Sequence, residues 1–110
     1  MNIKRFNESI EDEPENGDYI LCEVNVKTKL YDFINNNISK LSFSYLWNNL
    51  QKIYVIQYED VPRELKNEFS RKTKNDKSFY ECEIARRAIK YWDKDKEKLE
   101  LILKTNKFNV

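Results

Sequence analysis

The stretch Lys52-Ile53-Tyr54-Val55-Ile56-Gln57-Tyr58 decides the fold class of this chain, because it is the clearest strand that the sequence contains. β-Branched and aromatic residues dominate it, as in strands that pack on a core, and Glu59-Asp60 end it. Apolar residues alternate in three further segments, at 19–26, 38–47 and 79–84. Polar turns separate these segments, so the sequence predicts a sheet of several short strands.

Helical spacing of apolar residues predicts three helices: residues 27–37, residues 61–69, and a last helix that Asp93 or Asp95 caps. Residues 70–77 are polar and mostly basic, and we predict a mobile loop there. Residues 85–92 fit a helix or a strand, and both alternatives stay open. The chain therefore belongs to the α+β class, with a small antiparallel sheet that is curled or closed into a barrel, short helices and a C-terminal helix.

The chain divides into an acidic leader and one domain. Carboxylates crowd residues 11–18 without a basic residue among them, and Pro14 and the pair Asn16-Gly17 interrupt regular structure. A chain of 110 residues has the size of one domain. We predict that residues 1–17 form a flexible acidic leader and that residues 18–110 form a single α+β domain.

The residue types that the chain lacks disfavour several classes of function. It has no histidine, one glycine and two cysteines. Histidine is the usual proton-transfer group near neutral pH and the commonest metal ligand. A chain with one glycine has no glycine-rich phosphate loop and no dinucleotide-binding fingerprint. We therefore predict that the protein is not an enzyme, and that it has no catalytic residues, no metal site and no cofactor.

The two cysteines and the hydropathy pattern indicate a compartment. Cys22 and Cys82 follow no C-x-x-C spacing, and each lies in an apolar alternation, so we interpret them as reduced, inert core residues. No apolar run reaches the ~20 residues of a membrane span. The first ten residues carry charges where a secretory signal is apolar. These patterns predict a cytoplasmic protein that does not enter membranes, and they leave the oligomeric state open.

The paired acids Glu81 and Glu83 lie two positions apart in a predicted strand, so they share one face of it. Two carboxylates are too few for a cation cage, which needs more oxygen ligands. Charged residues are mostly exposed in folded proteins. We interpret this pair as part of a solvated outer face.

The segment Gly17-Asp18-Tyr19-Ile20-Leu21-Cys22 resembles the opening turn and first strand of SH3-like, Tudor-like and related barrels, where a Gly-Asp pair precedes an apolar strand. Those barrels often bind peptides or nucleic acid through aromatic residues beside variable loops, and the resemblance implies such binding here. Residues 1–10 also resemble the starts of small proteins that tailed phages encode. This second resemblance implies a phage-encoded protein that works in the host cytoplasm.

The basic and aromatic residues between positions 71 and 92 form the candidate partner surface. They segregate positive charge in a chain whose twenty bases nearly balance nineteen acids, for a net charge of +1. Lysine and arginine attract phosphates, aromatic rings stack on bases, and Arg, Tyr and Trp are also enriched at protein interfaces. We predict these contact residues: Arg71, Lys72, Lys74, Tyr80, Arg86, Arg87, Lys90, Tyr91 and Trp92.

Two functions are compatible with this surface. We predict a non-enzymatic protein-interaction module with a protein partner, such as a phage-encoded inhibitor or accessory factor. The alternative is an SH3-like protein that binds nucleic acid through the same basic and aromatic residues. A steep salt dependence of binding distinguishes the alternative, because phosphate contacts release counterions.

Overall fold

The computed structural model describes residues 4–5 and 13–108, and it describes side chains for residues 13–105. Two short 3₁₀ helices occur at Arg63–Glu68 and Arg86–Ala88. The strands and α-helices are β1 (Lys4–Arg5), β2 (Tyr19–Cys22), α1 (Lys29–Asn36), β3 (Ser39–Trp47), β4 (Gln51–Tyr58), β5 (Ser70–Lys74), β6 (Lys77–Ala85), β7 (Ile89–Asp93) and α2 (Lys96–Phe108).

The described strands form one antiparallel sheet in the order β1-β7-β2-β3-β4-β6-β5. Six strands make up most of the sheet, and β1 adds two residues at one edge. The strands β1 and β5 lie at opposite edges and do not pair with each other, so the sheet is open. The predicted α+β class, short helices and C-terminal helix are confirmed, whereas the closed-barrel alternative is wrong.

Two hairpins depend on residues in the left-handed conformation. Asn48 and Asn49 have φ of 54° and 57° in the turn between β3 and β4, and Asn75 and Asp76 have φ of 53° and 64° between β5 and β6. Positive φ at both central residues matches the right-handed twist of the flanking strands, and Asn and Asp tolerate it well. The predicted mobile loop at 70–77 is therefore wrong, because this segment is an edge strand and a tight turn.

The main core lies between the sheet and the helical segments, and aromatic side chains fill much of it. The Phe33 ring meets the Tyr58 and Phe69 rings edge-on, with centroids 5.0 and 6.1 Å apart. Rings in this arrangement attract each other beyond the area that they bury. Ile34 of α1 is buried in the same cluster, and Leu99 of α2 is buried where that helix packs near β7 and β2.

Both α-helices begin at a polar residue that caps them, and one of these residues, Asp95, was predicted. Thr28 caps α1, because its Oγ1 accepts a hydrogen bond from Tyr31 N at 3.2 Å. Asp95 precedes α2, and its Oδ1 accepts from Glu97 N at 3.0 Å. Such bonds satisfy N–H groups that lack a partner within the helix. The predicted helix at 61–69 is a 3₁₀ helix over Arg63–Glu68.

The strand β2 is shorter than the predicted strand at 19–26. It ends at Cys22, and the Asn35 side chain then takes the place of a neighbouring strand. Asn35 Oδ1 accepts from Val24 N, and Asn35 Nδ2 donates to Val24 O, both at 2.8 Å. This side chain satisfies both backbone groups of Val24, so the chain leaves the sheet without an unpaired polar group there.

The segment before β2 lies against the domain. Glu13 Oε2 lies 2.6 Å from Lys52 Nζ, and Asp18 is buried with its Oδ1 3.1 Å from Lys94 Nζ. Gly17 has a φ of 93°, which favours glycine, and its N–H donates to Leu41 O at 2.8 Å. Residues 13–17 of the predicted leader therefore make defined contacts. Residues 1–3 and 6–12 lie outside the described residues.

Candidate functional site: an aromatic sheet face

The predicted contact residues Arg71, Lys72 and Lys74 lie on β5, which is fully exposed at the edge of the sheet. Arg71 Nη2 donates to Ser78 Oγ on the neighbouring strand at 3.0 Å. Lysine and arginine on an edge strand discourage pairing with a strand of another chain. Edge protection is therefore sufficient to explain these three residues without a binding role.

Two of the predicted contact residues, Tyr80 and Trp92, belong to the core. Their side chains are 8% and 1% exposed. Basic side chains cover both rings: Lys66 Nζ lies 5.6 Å from the Tyr80 centroid, and Arg86 Cζ lies 4.6 Å from the Trp92 centroid. Packing leaves these two rings almost no surface to present, so they do not support the predicted contact surface.

The other predicted contact residues follow β6 or lie on β7. Arg87 is exposed in the second 3₁₀ helix. Lys90 Nζ lies 2.8 Å from Glu23 Oε2 and 5.9 Å from the centroid of the half-buried Tyr91 ring. Lys90 is therefore already engaged by an acid within the domain.

The predicted basic residues do not form one patch. Lys74 pairs with Lys77 at the beginning of β6, whereas Arg86 and Arg87 follow the end of β6 at Ala85. At about 3.3 Å per residue, the length of this strand separates the two groups by roughly 26 Å. The structure brings Arg71, Lys72 and Lys74 together on one strand and leaves Arg86 and Arg87 apart from them.

A different surface, which the sequence did not predict, lies on the sheet itself. We call it the aromatic face: its exposed members are Phe43, Tyr45, Trp47 and Glu83, and the buried residues Val55 and Glu81 lie on the same side of the sheet. Phe43 lies opposite Val55, and Val55 lies opposite Glu83 on the next strand. Opposite residues of antiparallel strands have their side chains on the same side of the sheet, and so do residues two apart in one strand.

A β-bulge in β3 places the three rings on this face. The register shifts between Leu41 and Phe43, so that Leu41 pairs with Ile56 and Phe43 pairs with Val55. Leu41 and Ile56 are buried in the core. An extra residue in a strand reverses the alternation that follows it. Phe43, Tyr45 and Trp47 consequently point away from the core that Leu41 enters.

The three rings are exposed. Phe43, Tyr45 and Trp47 retain 44%, 37% and 57% of their accessible surface, and the first two ring centroids lie 6.3 Å apart. Leu46 and Leu50 are also exposed near the tip of the same hairpin, and Leu46 lies on the opposite side of β3 from the three rings. Contiguous apolar surface of this kind marks interaction sites in soluble proteins. The hairpin of β3 and β4 is therefore the strongest candidate for a contact surface.

Glu83 holds the ring of Tyr45, the middle one of the three exposed rings, in place. The hydroxyl of Tyr45 donates a hydrogen bond to Glu83 Oε2 across β4. This hydrogen bond to the Glu83 carboxylate raises the pKa of Tyr45 above its usual value. The Tyr45 side chain consequently reaches across β4 to Glu83 and keeps its proton.

A second acid, Glu81, is enclosed beside the rings. It lies two residues before Glu83 on β6 and is 9% exposed. Among the described residues, no side chain forms an ion pair or a hydrogen bond with its carboxylate. The interpretation of the pair as a solvated outer face therefore holds for Glu83, which is exposed, but not for Glu81, which its neighbours cover.

An open depression of about 460 Å³ lies between Glu81 and the Phe43 ring. Phe43 and Val55 contribute apolar lining, and the charged lining consists of three acids and one base, Glu68, Glu81, Glu83 and Lys72. Within the described part of the chain, no ion pair joins Lys72 to any of these acids. The depression is therefore both apolar and acidic.

The two thiols are not suited to nucleophilic chemistry. Both cysteines are free, Cys22 is buried, and Cys82 packs against the core. Burial raises the pKa of the Cys22 thiol, and burial raises that of Cys82 to about 12. A thiol with a raised pKa carries little reactive thiolate near neutral pH. Their interpretation as core residues is confirmed for Cys22, whereas Cys82 is half-buried.

The comparisons with known proteins supply no relative for this chain. No protein-family model, no curated protein and no solved structure matches it. In the part that the structure describes, no helix has the length and apolar character to cross a membrane. The same residues contain no group of three or more acids or cysteines arranged to hold a metal ion.

Sequence reasoning missed the aromatic face although a signal for it was present. The segment Phe43-Ser44-Tyr45-Leu46-Trp47 places a ring at every second position. In a strand, that spacing puts all three rings on one side. The alternation does not reveal whether that side faces the core or the solvent.

Proposed function

We propose that this chain is a non-enzymatic protein-interaction module that contacts its partner with the aromatic face. The observation that carries the proposal is the exposure of Phe43, Tyr45 and Trp47 on one side of the sheet. The helices pack mainly on other strands, since α1 lies mainly on β2 and α2 lies on β7 and β2, and Leu30 of α1 lines the depression beside Phe43. Burying these rings against a partner would release about 25 cal/mol for each Å² of apolar surface.

The residue types of this face favour a protein over a nucleic acid. Tyr, Trp and Phe are enriched in the buried centre of protein interfaces. Glu81 and Glu83 lie among the rings, and their negative charge opposes a phosphate backbone. The exposed lysines of β5 support the nucleic-acid alternative, but they lie at the edge of the sheet and not among the rings.

Two further details of the proposal, the phage origin and the SH3-like relationship, rest mainly on the sequence. We propose that the module acts as a phage-encoded inhibitor or accessory factor, which the resemblance of residues 1–10 supports. We also propose an SH3-like relationship for the curled sheet. Its support is the segment 17–22, in which Gly17 forms a turn and β2 follows.

We expect the double change Phe43→Ser and Trp47→Ser to abolish capture of the native partner. Truncation of an interface anchor costs about 2 kcal/mol or more, so two anchors should weaken the affinity by at least about 100-fold. The measurement is affinity capture from the native source with mass spectrometry, followed by titration of the captured protein against both forms.

The matched control is the double change Val26→Ser and Leu101→Ser, which removes two apolar side chains of similar exposure outside this face. It should leave capture and affinity unchanged. If the folded Phe43 and Trp47 variant binds as tightly as the parent protein, the proposal is refuted. Steeply salt-dependent binding to single-stranded DNA would instead support the nucleic-acid alternative.

A further inference from the structure

We propose, building on the proposed function, that the aromatic face anchors an arginine side chain of its protein partner and that Glu81 is the carboxylate that receives it. The guanidinium would lie in the depression between Glu81 and Phe43. Glu83 and Glu68 would add negative charge around it.

The first argument is the state of Glu81. Glu81 is 9% exposed, and within residues 13–105 no group donates a hydrogen bond or forms an ion pair with its carboxylate, whose oxygens are not among the fully buried polar atoms and so reach solvent. A partner that covers the depression would remove this carboxylate from water, which is costly unless a cation or hydrogen-bond donors compensate it. A cation supplied by a partner would provide this compensation, and it would do so only in the complex.

The second argument is charge complementarity. Three carboxylates line the depression, those of Glu68, Glu81 and Glu83, against the single ammonium group of Lys72. Lys72 is exposed at the edge strand, and Glu83 already accepts from the Tyr45 hydroxyl. The excess of negative charge therefore remains for a positively charged group to neutralise, and it disfavours phosphate groups.

The third argument distinguishes arginine from other cations. Phe43 and Val55 line the depression with apolar surface beside the acids. A guanidinium is planar and weakly hydrated, so it can stack on a ring while it donates two parallel bonds to a carboxylate. A lysine ammonium is compact and strongly hydrated, and it matches this mixed lining less well.

The test is a titration of the intact protein with N-acetyl-arginine amide, followed by the backbone amide signals in NMR spectra. We expect saturable shifts at residues of β3, β4 and β6 that surround the depression. N-acetyl-lysine amide should bind more weakly. N-acetyl-citrulline amide, which has nearly the same shape without the charge, should cause no saturable shift.

We expect Glu81→Gln to weaken the binding of N-acetyl-arginine amide about tenfold, because it removes the charge and keeps the shape. Glu100→Gln, which alters an exposed acid on α2, should bind as the parent protein does. Phe43→Leu provides a second variant that keeps apolar volume and removes the ring, and it should weaken binding several-fold. The inference would be overturned if the parent protein showed no saturable shifts. It would also be overturned if Glu81→Gln and Phe43→Leu bound N-acetyl-arginine amide as tightly as the parent protein does.

The outcomes separate this inference from the proposed function. Partner capture that depends on Phe43 and Trp47 but is unchanged in Glu81→Gln would leave the proposed function standing and refute the arginine anchor. Arginine-amide binding at Glu81, together with capture that does not depend on Phe43 and Trp47, would refute the proposed function. Shifts that appear on raising the protein concentration, without arginine amide, would indicate that the chain associates with itself. They would contradict both the arginine anchor and the proposed function.

Discussion

Trp92→Ala should lower the free energy of unfolding by roughly 3–5 kcal/mol, which is a large part of the total stability of a small domain. Trp92 is 1% exposed, β7 holds it between β1 and β2, and Arg86 covers its ring at 4.6 Å. Removing the indole would leave a cavity that the surrounding strands cannot fill. Chemical denaturation followed by circular dichroism measures the loss of free energy, and thermal unfolding should show a fall in Tm of roughly 15 °C or more.

The other tryptophan provides the matched control. Trp47 is 57% exposed on the aromatic face, so Trp47→Ala should change the free energy of unfolding by about 0.5 kcal/mol or less. Equal losses for the two substitutions would contradict the assignment of one indole to the core and the other to the contact surface.

The protein should unfold as the pH rises from about 9 to about 12. Burial raises the pKa of Cys82 and of Tyr54 to about 12, and it raises the pKa of Cys22 and Tyr58 as well. Each folded pKa lies above the ordinary value of 9.0 for Cys or 10.0 for Tyr, so the unfolded chain loses its protons first. Stability is therefore complete below pH 9 and is lost progressively above it, as the buried groups ionise.

Circular dichroism and the absorbance of tyrosinate measured over this pH range test the expectation. The ionisation of Tyr58 should coincide with the loss of structure. Cys82→Ala should move the onset of unfolding to higher pH, because one of the buried groups no longer gains a charge. A folded spectrum that persists to pH 12 with complete tyrosine ionisation would contradict the burial of these groups.

Much of the fold could be predicted from the sequence because local signals agree with the final packing. The stretch 52–58 forms β4, the alternation at 79–84 lies in β6, and the spacing around Ile34 gives α1. In each case the apolar period matches the burial that tertiary packing imposes. Asp95 likewise acts through a hydrogen bond to a nearby backbone group, which a sequence pattern can reveal.

The β5 strand could not be predicted from periodicity. All five of its residues, Ser70–Lys74, are exposed, so no apolar alternation marks it. What fixes the strand is the turn at Asn75 and Asp76, whose positive φ values set the register of the pair. Asn-Asp is a weaker hairpin signal than Asn-Gly, and the basic composition resembles a loop.

The exposure of the three β3 rings could not be predicted from the sequence, for a physical reason. A single bulge between Leu41 and Phe43 reverses the faces of β3, and the sequence does not mark its position. Without it, Phe43 and Tyr45 would follow Leu41 into the core. Conversely, Tyr80 and Trp92 carry the residue types of interface anchors, but their strands turn them inward. Composition indicates which residues can bind, and register decides which of them are free to do so.

The most direct measurement of the central claim is the fluorescence of Trp47 in the complex with the captured partner. Trp92→Phe leaves Trp47 as the sole tryptophan and keeps most of the buried ring volume, and Trp92 Nε1 has no hydrogen-bond partner among the described residues to lose. If the aromatic face is the contact surface, the emission of Trp47 should shift to shorter wavelength and become protected from acrylamide when the partner binds. Emission and quenching that remain those of an exposed indole in the saturated complex would contradict the claim.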